Sequence, residues 1–149
     1  MGFDVRPVKP SDVVDWLRMR EALWPSEQEE HANDVRRFFE GERIEPAEVL
    51  IAVDEGGQAV GFAELSIRSV VEGCEHGEVG FLDGWFVHDG LRRKGFGAML
   101  VRAAEEWARR QGCAEFGSYT KIDNSVSMPP TRRSAFEETE RLVCFRKAQ

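Results

Sequence analysis

Gly84-Trp85-Phe86-Val87-His88-Asp89-Gly90-Leu91-Arg92-Arg93-Lys94-Gly95-Phe96-Gly97 reads as a strand, a turn, a basic glycine loop and the start of a helix. The helix follows from Met99, Leu100, Ala103, Ala104, Trp107 and Ala108, which recur with the 3.6-residue period between Gly97 and Gln111, and Gly112 is a natural residue to end it. This arrangement builds an anion site. Glycines at 95 and 97 allow close backbone approach, the N–H groups of the first helical turn point at a ligand, and the positive end of the helix dipole favours negative charge. Arg92, Arg93 and Lys94 add cationic steering. Gly-x-Gly alone marks many ordinary turns before helices; the flanking strand and helix raise it to a site. The Gly-x-x-x-x-Gly-Lys-Ser/Thr loop is absent, and Leu100 stands where a dinucleotide fingerprint has its third glycine.

Upstream, Val5 to Val8 fits a short strand closed by Pro10. Ser11 is placed as the N-cap of a helix carrying Val13, Trp16, Leu17, Leu23 and Trp24 on one stripe, stopped by Pro25. A second helix is expected from about His31 to Glu40, burying Val35, Phe38 and Phe39. Val49 to Val53 and Ala59 to Val70 form a hairpin through the turn Asp54-Glu55-Gly56-Gly57. If pairing is regular, Val79, Phe81, Asp83, Trp85 and Val87 share one side of the next strand, which sets a carboxylate among apolar neighbours. Ala114 to Tyr119 and Arg141 to Arg146 complete the set. The order predicts a mixed α/β or α+β sandwich: a mostly antiparallel central sheet flanked by helices, in a single domain over residues 1–149.

The 149 residues, 42% hydrophobic with ten Phe and four Trp, suffice for one packed core, and the 32% charged fraction predicts a solvated exterior. No stretch reaches the roughly 18 apolar residues of a membrane span and the N-terminus lacks a signal-like apolar segment, so the expected location is the cytoplasm. Cys74, Cys113 and Cys144 lack disulfide or zinc spacing and read as reduced, packed thiols; no metal site is expected. A net charge of −7 speaks against non-specific nucleic-acid binding. Its distribution is uneven: residues 21–48 hold nine acids against three bases, and residues 91–110 hold six bases against two acids. Each block fits a solvated helix face; together they also suit an enzyme with one cationic and one anionic substrate.

Arg92, Gly95 and Gly97 match the Arg/Gln-x-x-Gly-x-Gly/Ala signature, and on this the chain resembles the GNAT N-acetyltransferase superfamily. Leu23-Trp24 with His31, Glu64-Leu65-Ser66-Ile67-Arg68, Gly80-Phe81-Leu82-Asp83-Gly84, and Asp123-Asn124 followed by Phe136-Glu137-Glu138-Thr139-Glu140 extend the likeness over nearly the whole chain. They are most similar to the short aminoglycoside 6'-N-acetyltransferases of antibiotic resistance. The resemblance implies splayed fourth and fifth strands with acetyl-CoA in the opening. Its pantetheine would pair with the backbone of Trp85, Phe86 and Val87, and its pyrophosphate would lie on Arg92, Arg93, Lys94, Gly95, Phe96, Gly97 and Ala98, with Asn124 also on the cofactor. The thioester carbonyl would be polarised by a main-chain N–H near Phe86 or Val87. Direct attack by the amine needs no enzyme nucleophile.

The acceptor arrives as an ammonium and must lose a proton, so a carboxylate is needed. Asp83 is the candidate, both from its place near Trp85 and from its match to an acidic position in the resembled enzymes; a carboxylate satisfied by Arg68 is the rival reading. Trp24, His31 and Glu64, with Asp83 and Tyr119, are implied to line the acceptor pocket, although a core role suits Trp24 equally. The resemblance also implies a homodimer.

Two positions depart from the family pattern. Tyr119 stands where an Asp is common; its phenol could protonate the departing CoA thiolate but could not anchor an ammonium. Between Asn124 and Phe136, Pro129-Pro130, Thr131 and Ala135 replace a helix carrying a His or Tyr and a Gly, and prolines fit only a first helical turn. If residues 129–136 were coded GCC GCC CAC GCG GCG CTC GGC TTC, they would be Ala-Ala-His-Ala-Ala-Leu-Gly-Phe, and that chosen string read one base late gives the residues from Pro129 to Ala135. The hypothesis is a compensated frameshift, in the gene or in its sequencing, and resequencing tests it. The competing functions are an acetyltransferase for another amine (a polyamine, an amino-acid derivative or a protein N-terminus) and a CoA-binding domain without turnover.

Overall fold

The computed structural model describes residues 4–25, 28–41, 46–69, 78–91 and 95–118. In chain order these form β1 (Asp4–Pro7), a 3-10 turn (Pro10–Asp12), α1 (Val13–Leu23), α2 (Gln28–Phe39), β2 (Glu48–Val53), β3 (Ala59–Arg68), β4 (Val79–Val87), a 3-10 turn (Asp89–Leu91), α3 (Phe96–Arg110) and β5 (Glu115–Ser118). The five strands make one sheet in the order β1-β2-β3-β4-β5, antiparallel except for the parallel pair β4 and β5. The mixed sheet flanked by helices is the expected class. The strand foreseen at Arg141–Arg146 lies outside the described residues, as do Cys74 and Cys144.

Both faces of the sheet are covered, which is why β2 and β3 read as almost continuous apolar runs. On one face Leu50, Ala52, Ala63, Leu65 and Leu82 pack under Leu100, Val101 and Ala104 of α3. On the other, Val49, Ile51 and Phe62 meet Trp16 and Met19 of α1 and Val35 of α2. Val35 is buried as expected, whereas Phe38 and Phe39 are half-buried, set edge-on to Trp16. The hairpin turn is fixed by Asp54, whose Oδ1 accepts the N–H groups of Gly56 and Gln58, with Gly57 at a φ of 79°.

Ser11 is not the helix cap. It lies inside the 3-10 turn, and the carboxylate of Asp12 accepts the Lys9 N–H at 2.7 Å instead. The same carboxylate takes both Arg6 guanidinium nitrogens at 2.7 and 3.0 Å, which ties β1 to the start of α1 and holds the Asp12 carboxyl below its usual range.

The pairing of β4 is not regular. Glu64 faces Gly84 but Leu65 faces Leu82, so two residues of β4, Asp83 and Gly84, stand against one step of β3. Such a bulge reverses the side-chain alternation. Leu82 and Trp85 both pack toward α3, while the Asp83 side chain joins Ser66 on the α1 face. Asp83 and Trp85 are therefore on opposite faces, contrary to the expectation from period-two spacing. The described ladder of β4 with β5 covers Val79 to Leu82 and ends at Leu82↔Ser118, immediately before the bulge.

Candidate active site

The bulge divides β4 into two working surfaces. On the α1 face, Asp83 accepts a hydrogen bond from Ser66 Oγ at 3.0 Å and pairs with Arg68 at 2.7 Å; the Arg68 guanidinium in turn sits 3.9 Å from the centre of the Phe81 ring. Behind it, Glu64 is almost fully buried. Its Oε2 accepts the Trp16 indole N–H at 2.9 Å and meets Arg20 Nε at 2.8 Å. Burial pushes the Glu64 carboxyl up to about 7 against the opposing effects of Arg20 and the Trp16 hydrogen bond; Asp83 and Asp34 push the same way as burial. Glu64 thus lies behind the surface and shares its charge with the protein, so its expected place in the pocket lining is not where its side chain is.

Trp24 lies above Gly84. A Cβ added at Gly84 would fall 2.5 Å from Cζ2 and 2.6 Å from Cη2 of that indole, so the glycine is required by the aromatic ring over it. The ring stacks on His31 at 6.1 Å with 27° between planes, and is half-buried. His31 is 1% exposed, and because a carbonyl can only accept, its Nε2 carries the proton donated to Trp24 O at 2.7 Å. His31 is therefore a support for Trp24 and does not itself face solvent.

On the α3 side the site is main chain and glycine. Gly95 caps α3 at a φ of 93°, a left-handed conformation that glycine adopts without cost. The first intrahelical bond runs from Met99 N–H to Gly95 O, so the N–H groups of Phe96, Gly97 and Ala98 lie ahead of the helical ladder, and the first turn holds no acid. Gly97 has a packing reason of its own: a Cβ there would fall 2.6 Å from Cζ3 of Trp85. The ring of Trp85 therefore lies against Gly97 on the side that a Cβ would take.

The edge of β4 completes the site. His88 N–H bonds to Val60 O at 3.0 Å, and the antiparallel alternation then directs Phe86 N–H into the β3 ladder and Val87 N–H toward the β5 edge. Gly95 and the helix start that follows it fit the anionic end of an extended thioester. Arg92, Arg93, Lys94, Tyr119 and Asn124 lie outside the described residues, as does the Pro129–Ala135 segment.

The family model described as "Acetyltransferase (GNAT) family" matches residues 16–129, most of the chain. This chain belongs to the GNAT acetyltransferase family. Among curated GNAT relatives, aminoglycoside N(6')-acetyltransferase type 1 of Klebsiella aerogenes is 48% identical over 144 residues, covering 96% of this chain and 95% of its own length. The enzyme of the same name from Acinetobacter baumannii is 35% identical over 147 residues, covering 97% and 98%. Among solved structures, AAC(6')-Iy in complex with the bisubstrate analog CoA-S-monomethyl-acetylneamine superposes with a TM-score of 0.89 at 32% identity over 100% of both chains. AAC(6')-Ih from Acinetobacter baumannii gives 0.87 at 34% identity over 99% of each.

Sequence reasoning missed the contacts that Arg20, Trp16 and Ser66 make with Glu64 and Asp83. For Arg20 a signal existed. Trp16, Met19, Arg20 and Leu23 fall on one helical stripe, and a charged residue on an apolar stripe must find a buried partner. No pattern along the chain joins Trp16 to Glu64, 48 residues away.

Proposed function

We propose that this protein is an acyltransferase that moves the acetyl group of acetyl-CoA to the 6'-amine of aminoglycosides, and so confers resistance to these antibiotics. The observation that carries the reading is the placement of Asp83 on the β4 bulge, beside the half-exposed Trp24. Full-length relatives named for this activity, and the neighbour bound to a CoA–aminoglycoside bisubstrate analog, support it.

Acetyl-CoA supplies an activated acyl group, a thioester whose carbonyl carbon accepts the amine and whose thiolate departs. The chain's part is to bind, orient and move a proton. Gly95 and the leading N–H groups of α3 hold the pyrophosphate, with Arg92, Arg93 and Lys94 adding charge; Asn124 is a further contact on this side. The backbone of Trp85, Phe86 and Val87 aligns the pantetheine, and a main-chain N–H near Phe86 or Val87 stabilises the oxyanion. Asp83, paired with Arg68, attracts the acceptor ammonium and receives its proton, directly or through one water. Trp24, supported by His31, forms the adjoining wall, and Tyr119 returns a proton to the leaving thiolate.

The location this reading implies is the cytoplasm. No described helix is long and apolar enough to cross a membrane. A single domain over residues 1–149 and a homodimeric assembly complete the reading; light scattering at the size of two chains tests the latter.

The function is tested by following free thiol from acetyl-CoA with kanamycin, tobramycin, spermidine or a peptide N-terminus as acceptor, and by locating the acetyl group in the product by NMR. Turnover confined to aminoglycosides, with the product acetylated at the 6' nitrogen, is expected. Turnover of spermidine or peptide alone would move the enzyme to another amine, and CoA binding without any thiol release would make it a binding domain.

A further inference from the structure

We propose that Arg20 is a positioning residue of the acceptor pocket: held between Glu64 and Asp34, its guanidinium fixes the Trp24 indole over Gly84, beside Asp83. The inference rests on the functional reading above, since it gives the pocket its ligand.

Arg20 closes α1 and is only 7% exposed. A buried cation is costly unless well paired, and buried ion pairs are seldom kept for net stability, so the arrangement calls for another reason. Its Nε lies 2.8 Å from Glu64 Oε2 and its other arm 3.2 Å from Asp34 Oδ2, so one planar fork joins α1 to β3 and to α2. The guanidinium carbon then stands 5.3 Å from the centre of the Trp24 ring, within cation–π range.

Trp24 is also tied at its backbone. Its N–H donates to Arg20 O at 2.8 Å, and its carbonyl accepts from His31. The ring has contacts with Arg20, His31, Phe62 and the bare backbone of Gly84, yet part of it stays open to solvent. Gly84 is the second residue of the bulge and Asp83 the first. The placement of the indole relative to the Asp83 carboxylate therefore depends on where the guanidinium is held. A lysine at position 20 keeps the charge, but a single ammonium cannot reach two carboxylates on different elements while stacking on the ring.

The test compares the parent with Arg20→Lys, and with Asp34→Asn, which removes the more exposed of the two anchors. Each protein is assayed with acetyl-CoA and tobramycin, and its Trp24 indole N–H is followed by NMR after assignment with Trp24→Phe. Arg20→Lys is expected to raise the KM for tobramycin roughly tenfold, with kcat and the KM for acetyl-CoA within about twofold, and to shift the Trp24 signal; Asp34→Asn gives roughly threefold. A purely structural role would instead reduce the amount of active enzyme, leave both KM values in place and lower Tm. That result, equal shifts in both KM values, or an unmoved indole signal in folded Arg20→Lys overturns the inference. Should the parent acetylate no aminoglycoside, the functional reading fails separately, and the indole signal alone then decides the role of Arg20.

Discussion

The two faces of β4 are built from different materials. Toward α3, the site consists of glycines, main-chain N–H groups and a helix dipole, with apolar side chains filling the space behind. Toward α1 it consists of charged side chains from four elements, Arg20 paired with Asp34 and Glu64, and Arg68 paired with Asp83. The difference suits the two ligands. A CoA is the same in every GNAT enzyme and can be gripped by backbone that does not vary, whereas an acceptor must be selected by side chains.

The division can be broken at its most consequential point by Asp83→Asn. Loss of the proton acceptor lowers kcat/KM for tobramycin by roughly 10²–10⁴-fold, while CoA affinity measured by calorimetry stays as in the parent. Gly97→Val attacks the other face. The added branch meets Trp85, so about 1–3 kcal/mol of stability is lost by overpacking, seen as a lower Tm, and CoA binds more weakly while the acceptor side keeps its geometry. Gly84→Ala forces a Cβ into the Trp24 ring; the KM for tobramycin rises roughly tenfold, the loss of one well-placed contact, with little change for acetyl-CoA.

The smallest effect sharpens the comparison through pH. Glu64 is pushed from 4.5 to about 7 in the folded protein, so between these values the native state binds more protons than the unfolded chain. Stability from this group is present below pH 4.5 and is lost as pH rises through about 7. Arg20 from α1, Asp34 from α2 and Asp83 from β4 face it. In Glu64→Gln the amide oxygen still accepts from Trp16, but this downward slope disappears, which urea denaturation between pH 5 and pH 7 reads directly.

How much was legible in the sequence follows the same division. The α3 helix and its Gly112 end could be read because periodicity and a terminal glycine are local properties; its start, expected at Gly97, falls at Phe96 behind a left-handed Gly95. The face of Asp83 could not, because a bulge depends on how β3 pairs and period-two counting assumes there is none. At Gly97 the packing reason, the Trp85 ring from the strand before, shows only in the fold. His31 and Glu64 were placed in the pocket by likeness, yet both are interior supports whose roles come from contacts with Trp24 and Arg20.

The most direct test of this account is a crossed binding experiment: CoA and tobramycin titrated separately into the parent, Asp83→Asn and Gly97→Val by calorimetry. The account predicts that Asp83→Asn weakens tobramycin and spares CoA, and that Gly97→Val does the reverse. Equal weakening of both ligands by Asp83→Asn would contradict the assignment of acceptor and cofactor to opposite faces of β4.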